Sequence, residues 1–259
     1  MKVADVYNAI HQMAPFDTQM GFDNAGLLIG SMEQSVHKIG VVLDVTPAVL
    51  AQAVEQGIDC LVSHHPIIFS AIKSIEENSV VYQAIANRIA VISAHTNLDA
   101  AVGGVNDVLC HCLELTDVEG LAIPGEPTPP MGRMGTLPKA MSGEEFARFV
   151  NCQLHTRVKY VPVEKPIRKI AVCGGSGSDF MLLALQAGAD ALVTSEIKHH
   201  QFLQAQSLGF MMMDAGHFET ENPVVEHLYD YLCNQLLGQK NEPAVAISVL
   251  NQESPVVYA

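Results

Sequence analysis

Histidines and acidic residues recur in this chain at spacings that are typical of metal ligands. The first group, His64 and His65, follows an apolar run and precedes Pro66. Adjacent residues of an extended segment point to opposite sides, so both imidazoles serve one site only if the chain turns there or if two metal ions lie side by side. Pro66 favours an extended His65 and a sharp exit, which suits a turn that carries two ligands.

Two further groups pair a histidine with an acid four residues later, namely His95 with Asp99 and His217 with Glu221. On one helical turn this spacing brings both side chains to the same face. Imidazole with carboxylate is a ligand mixture that suits Zn²⁺, Mn²⁺, Fe²⁺ or Ni²⁺, and carboxylates can bridge two metal ions about 3.5–4 Å apart. The four histidines and two acids therefore predict a site for two divalent metal ions per chain.

Each group also has an ordinary structural interpretation. Adjacent histidines occur on surface turns, and the segment 217–221 is equally typical of a helix start whose acids favour the helix dipole. A third cluster, Glu196 with the His199-His200 pair, is a candidate for contact with a substrate or for a solvated helix face. Glu196 and His95 are the candidates for a catalytic proton carrier.

Two other motifs leave their roles open. The segment GGSGSD (174–179) lies between a predicted strand and a predicted helix, where backbone amides can cradle a phosphate. It lacks the full G-x-G-x-x-G pattern, so a simple turn explains it as well. Cys110-His111-Cys112 lies in an amphipathic pattern and is predicted to pack rather than to bind zinc.

An internal repeat indicates which elements position these residues. Residues 38–63 align without a gap on residues 169–194, with eight of 26 positions identical. Each copy is predicted to form a strand, a helix that ends at a glycine, and a second strand. Thr46 and Ser178 are the predicted N-capping hydroxyls of the two helices.

The repeat continues into a third strand in each copy, which ends just before His95 or His217. The offset is shorter there, which places a longer loop in the first copy near residues 64–70. Because ligands bind beyond the carboxyl ends of strands in open α/β sheets, the candidate residues lie where chemistry is expected.

We therefore expect an α/β fold of two pseudo-symmetric lobes, each a sheet flanked by helices, with the metal cleft between them because neither half has enough ligands alone. Residues 1–120 are predicted as the first lobe and 121–259 as the second, although the terminal segment could return to the first. The Gly- and Pro-rich segment 119–138 is predicted as the connection. Flanking elements are predicted helices near 3–13, 143–154 and 222–237 and a strand at 245–250.

Composition excludes several classes of protein. The 259 residues are 49% hydrophobic, yet no apolar run approaches the ~20 residues of a spanning helix. The net charge is −14 and no basic cluster is longer than residues 165–169, so nucleic acid is not expected as a partner. The first residues lack a basic start followed by an apolar stretch, and six scattered cysteines indicate reduced thiols, which predicts a cytoplasmic protein.

Six segments spread over nearly the whole chain carry a more specific signal. They are FDNAGLLIG (22–30), LVSHHPIIFS (61–70), AHTNLDAAVGGVNDVL (94–109), CGGSG (173–177), TSEIKHH (194–200) and GHFETE (216–221). In this order they resemble the dinuclear-metal family of GTP cyclohydrolase 1 type 2 homologs, also called the Nif-three-like family, in its compact form. The resemblance implies a two-domain α/β subunit, a metal pair and a ring-shaped homohexamer.

The same resemblance implies roles for individual residues. The metal ligands that it implies are His64, His65, Asp99, His217 and Glu221. His95 is implied to lie behind the ligands or to act as an acid or base. The family name does not establish GTP as the substrate.

Two classes of function remain open. The first is a metal-dependent hydrolase of a small phosphorylated or nucleotide-like substrate, with Asp99 and Glu221 as bridging carboxylates. The second is a metal-binding regulatory or interaction protein without turnover. A group that grips phosphate or carries a proton would separate them, and His95, Glu196, Lys198 and the GGSG turn are the candidates.

Overall fold

Buried strands and amphipathic helices alternate along most of the chain. The computed structural model describes residues 1–122, 130–237 and 245–257. The strands are β1 (Gly26–Ile29), β2 (Lys38–Val42), β3 (Cys60–Ser63), β4 (Ala90–Ser93), β5 (Thr116–Leu121), β6 (Gly132–Met141), β7 (Lys159–Tyr160), β8 (Ile167–Val172), β9 (Ala191–Thr194), β10 (Met211–Asp214) and β11 (Ala246–Val249). The α-helices are α1 (Val3–Met13), α2 (Pro47–Gln56), α3 (Val80–Ala86), α4 (Thr96–Ala100), α5 (Val105–Cys112), α6 (Gly143–Gln153), α7 (Met181–Gln186), α8 (His199–Ser207), α9 (His217–Glu221) and α10 (Pro223–Leu236).

The first unit consists of Met1–Ala101 and Val225–Glu253. Its sheet has the order β1-β4-β3-β2-β11, in which β4, β3, β2 and β11 are parallel and β1 is antiparallel to β4. Every residue of β3 and β4 is buried, as expected of parallel strands that are covered on both faces. The carboxyl ends of β2, β3 and β4 therefore meet at one edge of a rigid sheet.

The second unit consists of Val102–Val224 with the terminal segment from Ser254. Its sheet has the order β5-β6-β8-β9-β10-β7. Strands β8, β9 and β10 are parallel, while β5, β6 and β7 pair antiparallel with their neighbours. Phe146 and the fully buried Met211, Met212 and Met213 belong to its core, so the methionine run is structural as its hydrophobicity predicts.

The strand–helix–strand repeat is confirmed, because β2–α2–β3 and β8–α7–β9 are both present in parallel sheets. Thr46 caps α2 by accepting a hydrogen bond from the Val49 amide, and Gly57 ends the helix at φ +68°. The prediction that Ser178 caps the second helix is wrong. Residues Ser178–Phe180 form a 3₁₀ turn, and α7 begins only after it, without a side-chain cap.

The boundary between the units follows Ala101 rather than residue 120, because α5 and β5 pack on β6 and α5 also packs on α9. The predicted connection at 119–138 is partly a strand pair, since β5 and β6 lie side by side. Its residues 123–129 lie outside the described part of the chain. The terminal strand β11 pairs with β2 and so belongs to the first unit.

The flanking elements are found where they are predicted, as α1, α6, α10 and β11. Helix α6 begins at a capping box in which Ser142 and Glu145 exchange hydrogen bonds with each other's backbone amides. None of the described helices is both long enough and apolar enough to cross a bilayer.

Candidate metal centre

Two neighbouring strands of the first unit end in the predicted histidines. His64 and His65 directly follow β3, and their amides continue the hydrogen-bond ladder by donating to the carbonyls of Val42 and Leu43. The Ser63 hydroxyl then donates to the His65 carbonyl at 2.8 Å, which turns the chain. The two ring centroids are 4.8 Å apart, so the turn brings both imidazoles to one place.

His95, just beyond β4, completes a cluster of three imidazoles. Its ring centroid lies 5.3 Å from that of His64 and 5.6 Å from that of His65. One nitrogen of each ring lies within 4.8 Å of the others, close enough for a single ion to bind all three. Asp99 joins them from the last turn of α4, with Oδ1 3.6 Å from His64 Nε2. His95 is thus one of three histidines that could hold a metal ion together, and its role behind the ligands or as an acid or base stays a prediction.

All three imidazoles are held in the same tautomer. In each ring Nδ1 lies within hydrogen-bond distance of an oxygen that can only accept, so in the neutral ring Nδ1 carries the proton and Nε2 the lone pair. The acceptors are the Ala94 carbonyl for His64 at 2.8 Å, Asp44 Oδ1 for His65 at 2.7 Å and Asp23 Oδ1 for His95 at 2.7 Å. Carboxylates and carbonyls behind imidazoles are the usual support of metal-binding histidines.

The two supporting carboxylates are themselves fixed by hydrogen bonds. Asp23 is shielded from solvent, and it accepts from both the amide and the hydroxyl of Thr96. Burial alone would raise the pKa of Asp23, but the hydrogen bonds from His95 and Thr96 outweigh burial and hold this pKa below its usual range. Asp44 accepts from Gln252 Nε2 at 2.7 Å. Both acids therefore remain aimed at their imidazoles.

The second unit repeats this arrangement with one histidine. His217 opens α9 and Glu221 closes it, so that His217 Nε2 lies 3.0 Å from Glu221 Oε2. His217 Nδ1 lies 2.8 Å from Glu196 Oε1, which follows β9. Glu196 therefore orients His217 in this structure, whereas the sequence suggests Glu196 as a proton carrier. The His199-His200 pair is exposed at the start of α8 and joins none of the candidate metal groups in the described ranges.

The GGSG segment packs against Glu221. The amides of Gly174, Gly175 and Gly177 donate to the side chains of Asn106, Thr220 and Thr194 at 2.8, 3.0 and 2.9 Å. Because these donors are used within the second unit, the phosphate-cradle interpretation loses its basis. A Cβ atom on Gly175 would lie 2.1 Å from Glu221 Oε1, so this glycine leaves the space that the carboxylate occupies.

The family model described as Duf34/NIF3 (NGG1p interacting factor 3) matches residues 1–254. The chain belongs to the Duf34/NIF3 family. A relative from Clostridium perfringens, named GTP cyclohydrolase 1 type 2 homolog, is 33% identical over 234 residues, which cover 87% of this chain and 88% of the relative. A relative of the same name from Methanocaldococcus jannaschii is 29% identical over 245 residues, covering 91% and 96%.

Solved structures give the same assignment of fold. The Staphylococcus aureus protein SA1388 superimposes with a TM-score of 0.91 at 28% identity, covering 100% of this chain and 99% of its own. Reduced HcgD from Methanocaldococcus jannaschii gives a TM-score of 0.82 at 27% identity, covering 97% and 98%. The predicted α/β fold of this Duf34/NIF3 protein is thereby confirmed.

Two acidic residues of this Duf34/NIF3 protein are absent from the sequence-based ligand set, although each orients a histidine. Asp44 lies just after β2, as His64 lies just after β3, so its place at a strand end is a signal that the sequence does contain. Asp23 belongs to the segment 22–30, whose letters support the family resemblance without indicating a partner. Only the folded chain shows that Asp23 meets His95.

Proposed function

We propose that this protein binds divalent metal ions and uses them to hydrolyse a small phosphorylated or nucleotide-like substrate. The observation that carries the proposal is the shared orientation of the four imidazoles of His64, His65, His95 and His217. Each places Nδ1 against an oxygen acceptor, so Nε2 is the nitrogen turned towards the other candidate ligands, and in His217 it lies 3.0 Å from Glu221 Oε2. That is the form in which neutral histidine binds a metal.

The donor set fits a first-row divalent ion. Imidazole nitrogens beside the carboxylates of Asp99 and Glu221 suit zinc, iron, manganese or nickel. The carboxylates behind His65, His95 and His217 add basicity to these ligands. The missing side chain at Gly175 fits the same purpose, because it leaves room for the Glu221 carboxylate.

A bound divalent ion would supply Lewis-acid polarisation and activation of water near neutral pH. The contribution of the chain itself is orientation. Asp23, Asp44 and Glu196 each orient one imidazole through its Nδ1 atom, and the turn at Ser63 sets two of the rings side by side. The assignment of Glu196 or His95 as a proton carrier stays a prediction, as does the bridging role of Asp99 and Glu221.

Metal analysis tests the binding step. Protein purified without chelators is expected to contain close to two metal equivalents per chain, measured by inductively coupled plasma mass spectrometry. The double substitution His64→Ala with Glu221→Ala is expected to remove them, whereas His37→Ala in the first unit and His200→Ala in the second, both exposed histidines, keep the wild-type content. Metal retained in the double variant would contradict the ligand assignment.

Turnover needs a separate assay. The metal-loaded protein is screened against nucleotides and phosphoesters, with Asp99→Ala as the inactive control. We expect at least one compound to be hydrolysed by the wild type alone. If wild type and variant behave alike across the panel, the hydrolase proposal fails. The protein would then be a metal-binding regulatory or interaction protein, which is the class that the words "interacting factor" in the family description favour.

We also propose that the chains assemble into a ring of six, on the strength of the family resemblance. Multi-angle light scattering of the purified protein tests this, with an expected mass of six chains. A monomer or dimer at micromolar concentration would rule out the ring.

A further inference from the structure

Two exposed phenylalanine rings lie next to the histidine cluster of the first unit. Phe22 is 65% exposed and Phe69 is 52% exposed, and their ring centroids are 6.5 Å apart at an interplanar angle of 64°. The Phe69 ring also meets His95 edge to face, at 6.0 Å and 88°. Large aromatic rings in mutual contact yet open to solvent are typical of a binding surface rather than of a core.

Both rings are tied to the framework that orients His95. Phe22 precedes Asp23, whose carboxylate accepts from His95 Nδ1. Phe69 follows Ile68, whose carbonyl accepts a hydrogen bond of 2.6 Å from Asn24. The segment 22–24 thus contains Asp23, which orients His95, and it also connects the two loops that carry the phenylalanine rings. The corner formed by the rings therefore has a fixed position relative to the histidine cluster.

We propose that Phe22 and Phe69 bind a planar heteroaromatic ring of the substrate and thereby determine its class. This inference rests on the proposed function, because the bound ring serves a reaction at the histidine cluster. Rings set at 64° offer one face for stacking and one edge for a perpendicular contact, which together favour a flat π-system over an aliphatic group. A substituent of a ring stacked on Phe69 comes within reach of His95, since Phe69 and His95 are in contact.

Sugar phosphates that carry no heteroaromatic ring are therefore not expected to be preferred ligands. Stacking on an aromatic side chain tolerates any base, because every base has a π-face. The corner therefore selects for the presence of a ring, while donors and acceptors elsewhere would select which ring. Neither phenylalanine offers a metal ligand, so the corner affects ligand preference and leaves metal content unchanged.

The test compares probes that differ only in the ring. Adenosine and uridine 5′-monophosphates are titrated against ribose 5-phosphate by isothermal calorimetry, with the full chain before and after metal loading. In the loaded wild type, at least one nucleotide is expected to bind about tenfold or more tighter than ribose 5-phosphate. Phe22→Leu combined with Phe69→Leu keeps the sites apolar and is expected to bring this ratio close to one. Tyr82→Leu, which removes an exposed aromatic ring on α3, should leave the ratio unchanged.

The outcomes separate this proposal from the proposed function. If the wild type holds no metal, the proposed function fails by the metal analysis alone. If metal binds but nucleotides and ribose 5-phosphate bind equally, or if the leucine variant keeps the wild-type ratio, the ring-binding corner is refuted. A leucine variant that changes oligomer mass in light scattering without changing the ratio assigns the two rings to a contact between chains, which also overturns the proposal.

Discussion

Replacing Gly175 by alanine tests the candidate metal centre without removing any ligand. The added Cβ would lie 2.1 Å from Glu221 Oε1, while ordinary contact begins at about 3.4 Å. The carboxylate must therefore withdraw by more than an ångström, whereas competent metal sites hold their distances within about 0.2 Å. We expect Gly175→Ala to lose at least about tenfold in metal affinity, the smaller effect reported for disturbed ligand support.

Gly209→Ala is the matched control. Gly175 and Gly209 have nearly the same backbone, with φ of +61° and +62°, but a Cβ on Gly209 would meet nothing within 4 Å. Each alanine pays about 1 kcal/mol for a left-handed conformation, which lowers Tm by about 2–4 °C in a chain of this size. Both metal-free variants should show at least this loss, and only Gly175→Ala should lose metal.

The assay equilibrates each variant against buffered free metal and measures bound metal by mass spectrometry, with thermal unfolding of the metal-free forms alongside. If Gly175→Ala and Gly209→Ala retain the same metal at every free concentration, Glu221 is not a ligand in the position that the structure gives it. A loss of metal in Gly209→Ala of equal size would show that backbone strain alone explains the effect.

Three further predictions follow from particular contacts. Asp44→Asn removes the carboxylate behind His65 and should weaken metal binding about 10–100-fold, measured by competition with a chelator, with little change in the metal-free Tm. Burial raises the pKa of the Cys60 thiol to about 12. At pH 8 iodoacetamide should therefore label the exposed Cys152 and leave Cys60 unmodified until the chain unfolds, as measured by mass spectrometry. Labelling of Cys60 in the folded protein would contradict its burial. The hydrogen bonds of the α6 capping box lower the pKa of Glu145, so its stabilisation is present above the unfolded pKa and is lost as pH falls through the lower folded pKa. The Tm difference between wild type and Glu145→Ala should therefore be present at pH 7 and shrink as the pH is lowered into the acid range. A difference independent of pH would exclude this ionic contribution.

The sequence predicts the parallel strands and the candidate residues at their ends because local signals agree there. Apolar runs, the cap at Thr46 and the glycine at Gly57 define a strand–helix–strand unit, and the histidines stand at the strand ends. The i,i+4 spacing also places His217 against Glu221, as the structure bears out. These features depend on neighbours in the chain, and such contacts can be inferred from spacing alone.

The features that the sequence does not predict depend on close approach between distant segments. Gly132 and Gly135 look like linker residues, yet they lie in β6, where a Cβ atom would come within 2.9 Å of the Val172 carbonyl and of Leu115 Cβ. Glycine in a strand marks such an approach of backbones as often as it marks a turn. Asp23 and His95 are likewise far apart in the chain, and no spacing rule connects them.

The position of β11 determines when the first unit can be completed during synthesis. Its residues Ala246–Val249 and the neighbouring Gln252 leave the ribosome only after residues Val102–Val224 of the second unit have been made. Until then β2 is an unpaired edge strand of the sheet, and an unpaired edge can form hydrogen bonds with a strand of another chain. Gln252 also donates a hydrogen bond to Asp44, which orients His65. The histidine cluster therefore reaches its final geometry only near the end of synthesis.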